Sequence, residues 1–322
     1  MTSLPQPLVN RIPTRKTLPR ALPRLAAALL RTARPRQWVK NVLVFAAPGA
    51  AGVLIVPAQL ASALIAFTVL CVAASAVYFL NDALDVVQDR AHPVKRHRPV
   101  AAGIVHRPLA FALAVVLATA ALLMAQAALG AKTMGAVGLY LAVTTCYSCQ
   151  FKHIPVLDIV ILACGFVLRA VIGALATNVP VSLWFLTVIG FGSLFIAAGK
   201  RSAELATLQE GAAGHRQALT AYTRPFLQHI QTVAALVAIV TYFLWAFGMA
   251  AAPAQAAHTG AIVHSSTWLQ ASTIAFVLML LRYSSHVLAG GGGAPEEIVW
   301  RDRLLQAAAL IWTVLFVVGI YG

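Results

Sequence analysis

Apolar runs of about 18 residues or more recur along this chain from residue 37 to its end, and a helix of that length crosses the hydrocarbon core of a bilayer. Inside lipid the backbone has no water to bond, so a helix that satisfies its own N–H and C=O groups is the structure left to such runs. Composition agrees. Ten per cent of the 322 residues are charged, where a soluble domain carries about a quarter. The expected fold class is an all-α polytopic membrane protein.

The pattern predicts about nine spans, at 37–56, 59–88, 107–129, 132–149, 154–177, 181–206, 225–251, 266–288 and 300–321. With the N-terminus in the cytoplasm, Arg90, Lys95, Arg96, Arg98, Lys152, Lys200, Arg201, Arg216, Arg224, Arg301 and Arg303 fall on the inner side. Only Lys132 then falls in an opposite loop. That asymmetry is the one cytoplasmic loops show. The formal net charge of +15 therefore describes one face. It fits topology, attraction to anionic membrane lipids and a polyanionic substrate. Nucleic acid is not expected as a partner, because the charge is spread over short loops.

Residues 1–35 hold seven Lys or Arg, six Pro and no acid. They read as a flexible cytosolic tail near anionic lipid, followed by one transmembrane catalytic domain, 36–322. LAAALL at 25–30 is too short for a secretory signal. The four cysteines read as small buried residues, and no histidine pair has metal-ligand spacing. Gly290–Gly293 with Pro295, Glu296 and Glu297 reads as a loop and a helix start.

The chain has only nine Asp or Glu residues, and three of them, Asp82, Asp85 and Asp89, fall within NDALDVVQD at 81–89. On an ideal helix Asp82 and Asp89 nearly superpose, Asp85 lies about 60° away, and Asn81 is one turn before Asp85. Carboxylates at a helix C-terminus oppose the macrodipole and repel one another. Mg²⁺, which takes oxygen ligands together with substrate phosphate, would offset both costs. A solvated helix end paired with Arg90, Lys95 and Arg96 is the bland alternative. The following HPVKRHRP stops the helix and supplies Lys95, Arg96 and Arg98 as phosphate donors. Carboxylates for a metal beside cations for phosphate suit a metal-bridged diphosphate.

The Asn81–Asp89 stretch resembles the first Asp-rich motif of the UbiA superfamily of intramembrane prenyltransferases. RPRQWVKNVLVFAAP (34–48), NDALDVVQDRAHPVKRHRPVAAG (81–103), YSCQFKHIPVLDIVILACGFVLRAVIGA (147–174) and GKRSAEL (199–205) resemble, more narrowly, the decaprenyl-phosphate phosphoribosyltransferase subfamily. The resemblance covers about 31–322. It implies a UbiA-like bundle around a central cavity open to the cytoplasm, in a bacterial plasma membrane. It also implies transfer of 5-phosphoribosyl from phosphoribosyl pyrophosphate to a polyprenyl (decaprenyl) phosphate for cell-wall arabinan, with Mg²⁺ on Asn81, Asp82, Asp85 and Asp89. A homo-oligomer is left open.

Other charged residues are candidates for substrate contact. Lys40 stands at the start of the first span, where anchoring at the interface competes with phosphate binding. Tyr147 and Lys152 close the fourth span. Asp158 and Arg169 share a face of the fifth, roughly 16 Å apart, and intramembrane ionisable residues face a cavity or a partner. Lys200, Arg201 and Glu204 end the sixth span, where typical UbiA enzymes carry a second Asp-rich motif. Its replacement by cations suits two anionic substrates. The rival readings are a prenyl diphosphate joined to an aromatic ring, which wants that second motif, and a secondary transporter of an anionic solute, which favours broken spans.

Overall fold

The computed structural model describes residues 21–208, 221–251, 266–288, 298 and 301–322, and within them it is helical with no strand. Among the described residues nine α-helices exceed ten residues: α1 (Ala21–Ala33), α2 (Pro57–Leu84), α3 (Arg107–Leu129), α4 (Ala131–Cys149), α5 (Leu157–Ala176), α6 (Leu183–Leu208), α7 (Arg224–Ala251), α8 (Ser266–Leu288) and α9 (Arg303–Tyr321). Seven of these, α2, α3 and α5–α9, are long and apolar enough to span a membrane. The chain is a multi-pass membrane protein. Residues 1–20 of the expected tail and the 290–297 loop lie outside the described residues.

The count differs from nine at two places. Residues 37–56 are not one α-helix. Pro35–Phe45 forms an eleven-residue 3₁₀ helix, followed by a helical turn at Ala46–Ala50 and a 3₁₀ turn at Val53–Ile55. Pro35, Pro48 and Pro57 lack the N–H that a continuous helix needs, and Gly52 turns the chain with φ 71°. α4 is helical as expected, but Lys132 and its Thr and Ser residues leave it less apolar than the seven.

The tail expectation also differs. Ala21–Ala33 is a helix whose Ala28 is buried, with Leu25, Leu29 and Ala33 packed on Phe79, Val105, Ala110 and Ala114. Of the four cysteines, Cys71 is buried, while Cys146, Cys149 and Cys164 are exposed. On a lipid-facing surface an apolar thiol meets no penalty for pointing outward.

Small residues hold the first half together. Ala63, Ala66, Ala73, Ala76 and Ala83 of α2 are buried, as are Ala110, Ala114, Ala121 and Ala125 of α3, at helical spacings of three, four and seven. Between helices in lipid there is little hydrophobic gain, so close backbone approach and its van der Waals contacts carry the packing. Val44 of the 3₁₀ segment joins Val69, Leu70, Tyr140 and Ile172 in that core. A second core gathers Phe195, Ala234, Tyr283, Val287 and Leu305 from α6 to α9.

At the start of α9, Asp302 accepts the Leu305 N–H at 2.8 Å and binds Arg282 (2.7 Å) and His286 of α8. The His286 and Leu305 bonds hold its carboxyl well below the usual range. Its contribution to stability is therefore present above the ordinary carboxylate pKa and is lost as pH falls through the depressed one.

The 3₁₀ segment sits against α5 at Gly173, where a Cβ would stand 1.8 Å from the Val44 carbonyl oxygen and 2.7 Å from its carbon. Backbone cannot yield as a side chain does. Gly173→Ala should cost about 3 kcal/mol or more, the upper range for overpacking, read as a lower denaturation midpoint in detergent. Gly138→Ala, whose nearest neighbour is a Leu122 methyl at 3.7 Å, should leave the midpoint unchanged.

Candidate active site

One end of the bundle collects the scarce charges. α2 stops at Leu84, Asp85 sits outside helical geometry at φ −90°, ψ 11°, and Val86–Ala91 resumes as a short helix. The run 81–89 is therefore not one ideal helix, although the Asp85 N–H still donates to the Asn81 carbonyl at 2.9 Å and the Asp89 N–H to the Asp85 carbonyl at 2.8 Å. Asp82 and Asp89 still converge, and both are buried at 2% and 3% exposure.

Each carboxylate holds a cation. Arg34 and Arg98 both reach Asp82, the latter at 3.4 Å, and Arg98 donates to Asp89 at 2.8 Å. Lys152 Nζ lies 2.5 Å from Asp85 Oδ1. The loop after the short helix places Arg98. Ile104 and Val105 N–H groups both donate to the Pro99 carbonyl (2.9 and 3.1 Å), Val100 and Val105 are buried beside Phe79, and Arg90 Nε donates to the Ala101 carbonyl at 2.9 Å. Arg90 is thus a loop staple and not a partner of the acids. Arg34 reaches across because it takes a left-handed conformation (φ 54°, ψ 61°) before Pro35, with its guanidinium 4.9 Å from the Tyr78 ring centroid.

A second group adjoins the first through the end of α4. Tyr147 Oη accepts from Arg201 at 3.0 Å, while Lys152, five residues on in the 3₁₀ turn Phe151–His153, turns to Asp85. Arg201 is 1% exposed and donates to Asp158 at 2.7 Å and to Glu204 at 2.5 Å. Tyr222 donates to Asp158 and accepts the Val156 N–H. Val156 pays for that aim with φ +67°, a region costly for a β-branched residue. Burial and the bond to Asp158 push the Tyr222 phenol well above its ordinary range, so it stays a donor. Five of the chain's nine acids, Asp82, Asp85, Asp89, Asp158 and Glu204, meet here with Arg34, Arg98, Lys152 and Arg201.

Not every expected residue joins them. Arg169 donates to Asn41 Oδ1 (2.9 Å), the Gly165 carbonyl (2.8 Å) and Tyr140 Oη (2.9 Å), and stacks near the Tyr140 and Phe166 rings. It locks the 3₁₀ segment to α5 and α4. Arg96 is exposed and turned to His97 at 3.3 Å. Lys40, Asn81, Lys95 and Lys200 are half-buried. Of these, Asn81 stands one residue before the carboxylates and Lys200 one before Arg201. Sequence reasoning missed Arg34, Asn41, Tyr140 and Tyr222. Asn41 alone left a signal, as a polar residue inside an apolar run.

Oxygen-only donors at Asn81, Asp82, Asp85 and Asp89 match the ligand chemistry of Mg²⁺. Among the described residues no three His, Cys, Asp or Glu side chains are arranged to hold a metal, since each carboxylate is turned to a cation.

The model of the UbiA prenyltransferase family matches residues 42–289. Decaprenyl-phosphate phosphoribosyltransferase of Corynebacterium glutamicum is 40% identical over 300 residues, which are 92% of this chain and 88% of that one. The protein of the same name from Mycolicibacterium smegmatis is 42% identical over 89% and 91% of the two chains. A UbiA homolog from Archaeoglobus fulgidus, solved bound to GPP and Mg²⁺, superposes with TM-score 0.62 at 16% identity, over 91% of this chain and 99% of that one.

Removing Arg201 would strand Asp158, a buried charge. Arg201→Met should destabilise by about 3–5 kcal/mol, as breaking a buried ion pair does. Glu204→Gln, at a side chain 33% exposed, should change stability by less than about 1 kcal/mol. Thermal denaturation of both variants in detergent checks the contrast.

Proposed function

The chain belongs to the UbiA prenyltransferase family, and from that membership we propose that it transfers 5-phosphoribosyl from phosphoribosyl pyrophosphate to a polyprenyl (decaprenyl) phosphate, releasing pyrophosphate, for cell-wall arabinan. The reaction takes place at the cytoplasmic face of a bacterial plasma membrane. The observation that carries the reading is the balance of the buried site. Three carboxylates are matched by Arg34, Arg98 and Lys152, and α6 carries Lys200 and Arg201 about two turns before its end, where a second carboxylate-rich motif would serve a prenyl diphosphate. Two phosphate-bearing substrates fit such a site better than one. The names of relatives similar over about nine-tenths of the chain support the same donor and acceptor.

The donor's pyrophosphate takes Arg98 and Lys152, and in doing so releases Asp85 and Asp89 from their cations. Mg²⁺ on Asp82, Asp85 and Asp89 with Asn81 would take up negative charge on the leaving pyrophosphate. The C1–O bond breaks with its electron pair going to pyrophosphate. An oxygen of the lipid phosphate, anionic near neutral pH, forms the new bond at C1 from the opposite side, with inversion. No proton moves in this step, so no general base is required. Carboxylates left near C1 stabilise its developing positive charge. Tyr222 holds Asp158, and Asp158, Glu204 and Tyr147 hold Arg201 as a buried, fixed positive charge beside the carboxylates.

Purified protein in detergent with Mg²⁺, polyprenyl phosphate and labelled phosphoribosyl pyrophosphate should move label into the lipid phase. EDTA should abolish transfer. Asp85→Asn should lower the rate on the order of 100-fold, the scale of removing one electrostatic group at a charged transition state. No transfer by folded wild type, together with turnover of a prenyl diphosphate and an aromatic acceptor, would overturn the reading.

A further inference from the structure

Outside the charged site an apolar groove of about 600 Å³ lies between α1, α2 and α3, walled by Leu30, Ala33, Phe67, Cys71, Phe79 and Leu117. From Phe67 to Phe79 it follows α2 for twelve residues, about 18 Å of helix. Leu30, 59% exposed, leaves it open on the side of α1. Thr68 lies toward the Phe67 end, while toward the Phe79 end Trp38 Nε1 donates to Ser75 Oγ (3.2 Å) and Ser75 Oγ donates to the Cys71 carbonyl (2.7 Å).

That end leads into the active site. Ser75 and Asp82 are seven residues apart on α2 and share a face. Ala33, a wall of the groove, is followed directly by Arg34, whose guanidinium lies on Asp82. A lipid tail lying in the groove would therefore carry its headgroup to Arg34. Neither this groove nor the smaller one between α5 and α6, about 320 Å³ and lined by Val160, Cys164, Leu183 and Phe191, has a charged side chain in its walls; the first is set apart by Arg34, directly after its wall residue Ala33. A lipid without phosphate gains nothing from a groove that ends on a cation, whereas a lipid monophosphate, with more negative charge and more free oxygens than a phosphodiester headgroup, gains a planar pair of donors.

We propose that the groove between α1, α2 and α3 holds the first isoprene units of the acceptor, with its phosphate on Arg34. The assignment rests on the polyprenyl phosphate reading above. It divides the cations by role. Arg34 takes the acceptor phosphate, and Arg98 and Lys152 take the donor pyrophosphate. Asp82, the residue both arginines reach, then lies between the two substrates. α1 acquires a purpose as the outer wall of the lipid site.

The test uses the full chain in nanodiscs with a polyprenyl monophosphate carrying a diazirine in its second isoprene unit, and maps labelled peptides by mass spectrometry. Label in the α1, α2 or α3 walls, removed by excess polyprenyl phosphate but not by phosphatidylglycerol, is the expected result. Competable label confined to the α5–α6 groove or elsewhere overturns the groove and leaves the acceptor reading standing. Label in the walls that phosphatidylglycerol removes equally well assigns the groove to bulk lipid and overturns it too. No competable label anywhere removes the acceptor reading and the groove with it. As a second measurement, Thr68→Trp, at an exposed position lining the groove, should raise the KM for polyprenyl phosphate at least tenfold and leave the KM for phosphoribosyl pyrophosphate unchanged. Thr187→Trp in the other groove should change neither, and an unchanged lipid KM in Thr68→Trp overturns the proposal.

Discussion

A charge taken out of water must be paired or it is not kept as a charge. In this chain that constraint organises one whole end of the bundle. Asp82, Asp89 and Asp158 are at most 3% exposed, and each is met by an arginine from a distant part of the sequence: Arg34 from before α2, Arg98 from the loop after it, Arg201 from the end of α6. The helices α2, α4, α5 and α6 are thereby tied at the same end by contacts that hydrophobic packing in lipid would not specify. The candidate site is also the polar fastening of the fold.

The irregular elements serve that pairing. At the break between α2 and the short helix Asp85 pairs with Lys152, while Asp82 and Asp89 share Arg98. The left-handed turn at Arg34 bends the chain from α1 into the 3₁₀ segment, and the strained Val156 aims its N–H at Tyr222, which in turn fixes Asp158. Away from the site, Arg169 satisfies its donors on Asn41, Gly165 and Tyr140, so a guanidinium buried in the bundle becomes the lock that holds a non-α segment in place. Backbone that departs from the α-helix is tolerated at such depth only where protein surrounds it.

Ionisable residues are rare enough in this sequence that Asp82, Asp85, Asp89, Lys152, Asp158, Arg201 and Glu204 could be picked out by their presence alone, and the structure brings all seven to one end. Their partners could not. Arg34 and Tyr222 lie in ordinary local contexts, and nothing within a few residues of either encodes a contact 48 or 64 positions away. Apolar run length placed seven spans well but did not show that 37–56 is built of 3₁₀ and short helical pieces, because composition does not register how Pro48 and the left-handed Gly52 interrupt the hydrogen-bond ladder. The helix Ala21–Ala33 was hidden by the prolines and arginines around it, which read as a solvated tail until its alanine and leucine face had a surface to meet. Arg169 was legible as a significant buried charge, though its bonds run to Asn41 and Tyr140 and not to the carboxylate cluster.

The central claim is that Arg34, Arg98 and Lys152 occupy the carboxylates until phosphate takes them. Equilibrium dialysis of Mn²⁺, standing in for Mg²⁺, against the purified protein with and without phosphoribosyl pyrophosphate tests this directly. Metal retained by the protein only when the phosphorylated donor is present, and lost again in Asp82→Asn and Asp85→Asn, is the expected result. Metal bound equally tightly without the donor would mean that the carboxylates are free to coordinate from the start, and the exchange of partners at the heart of the site would be contradicted.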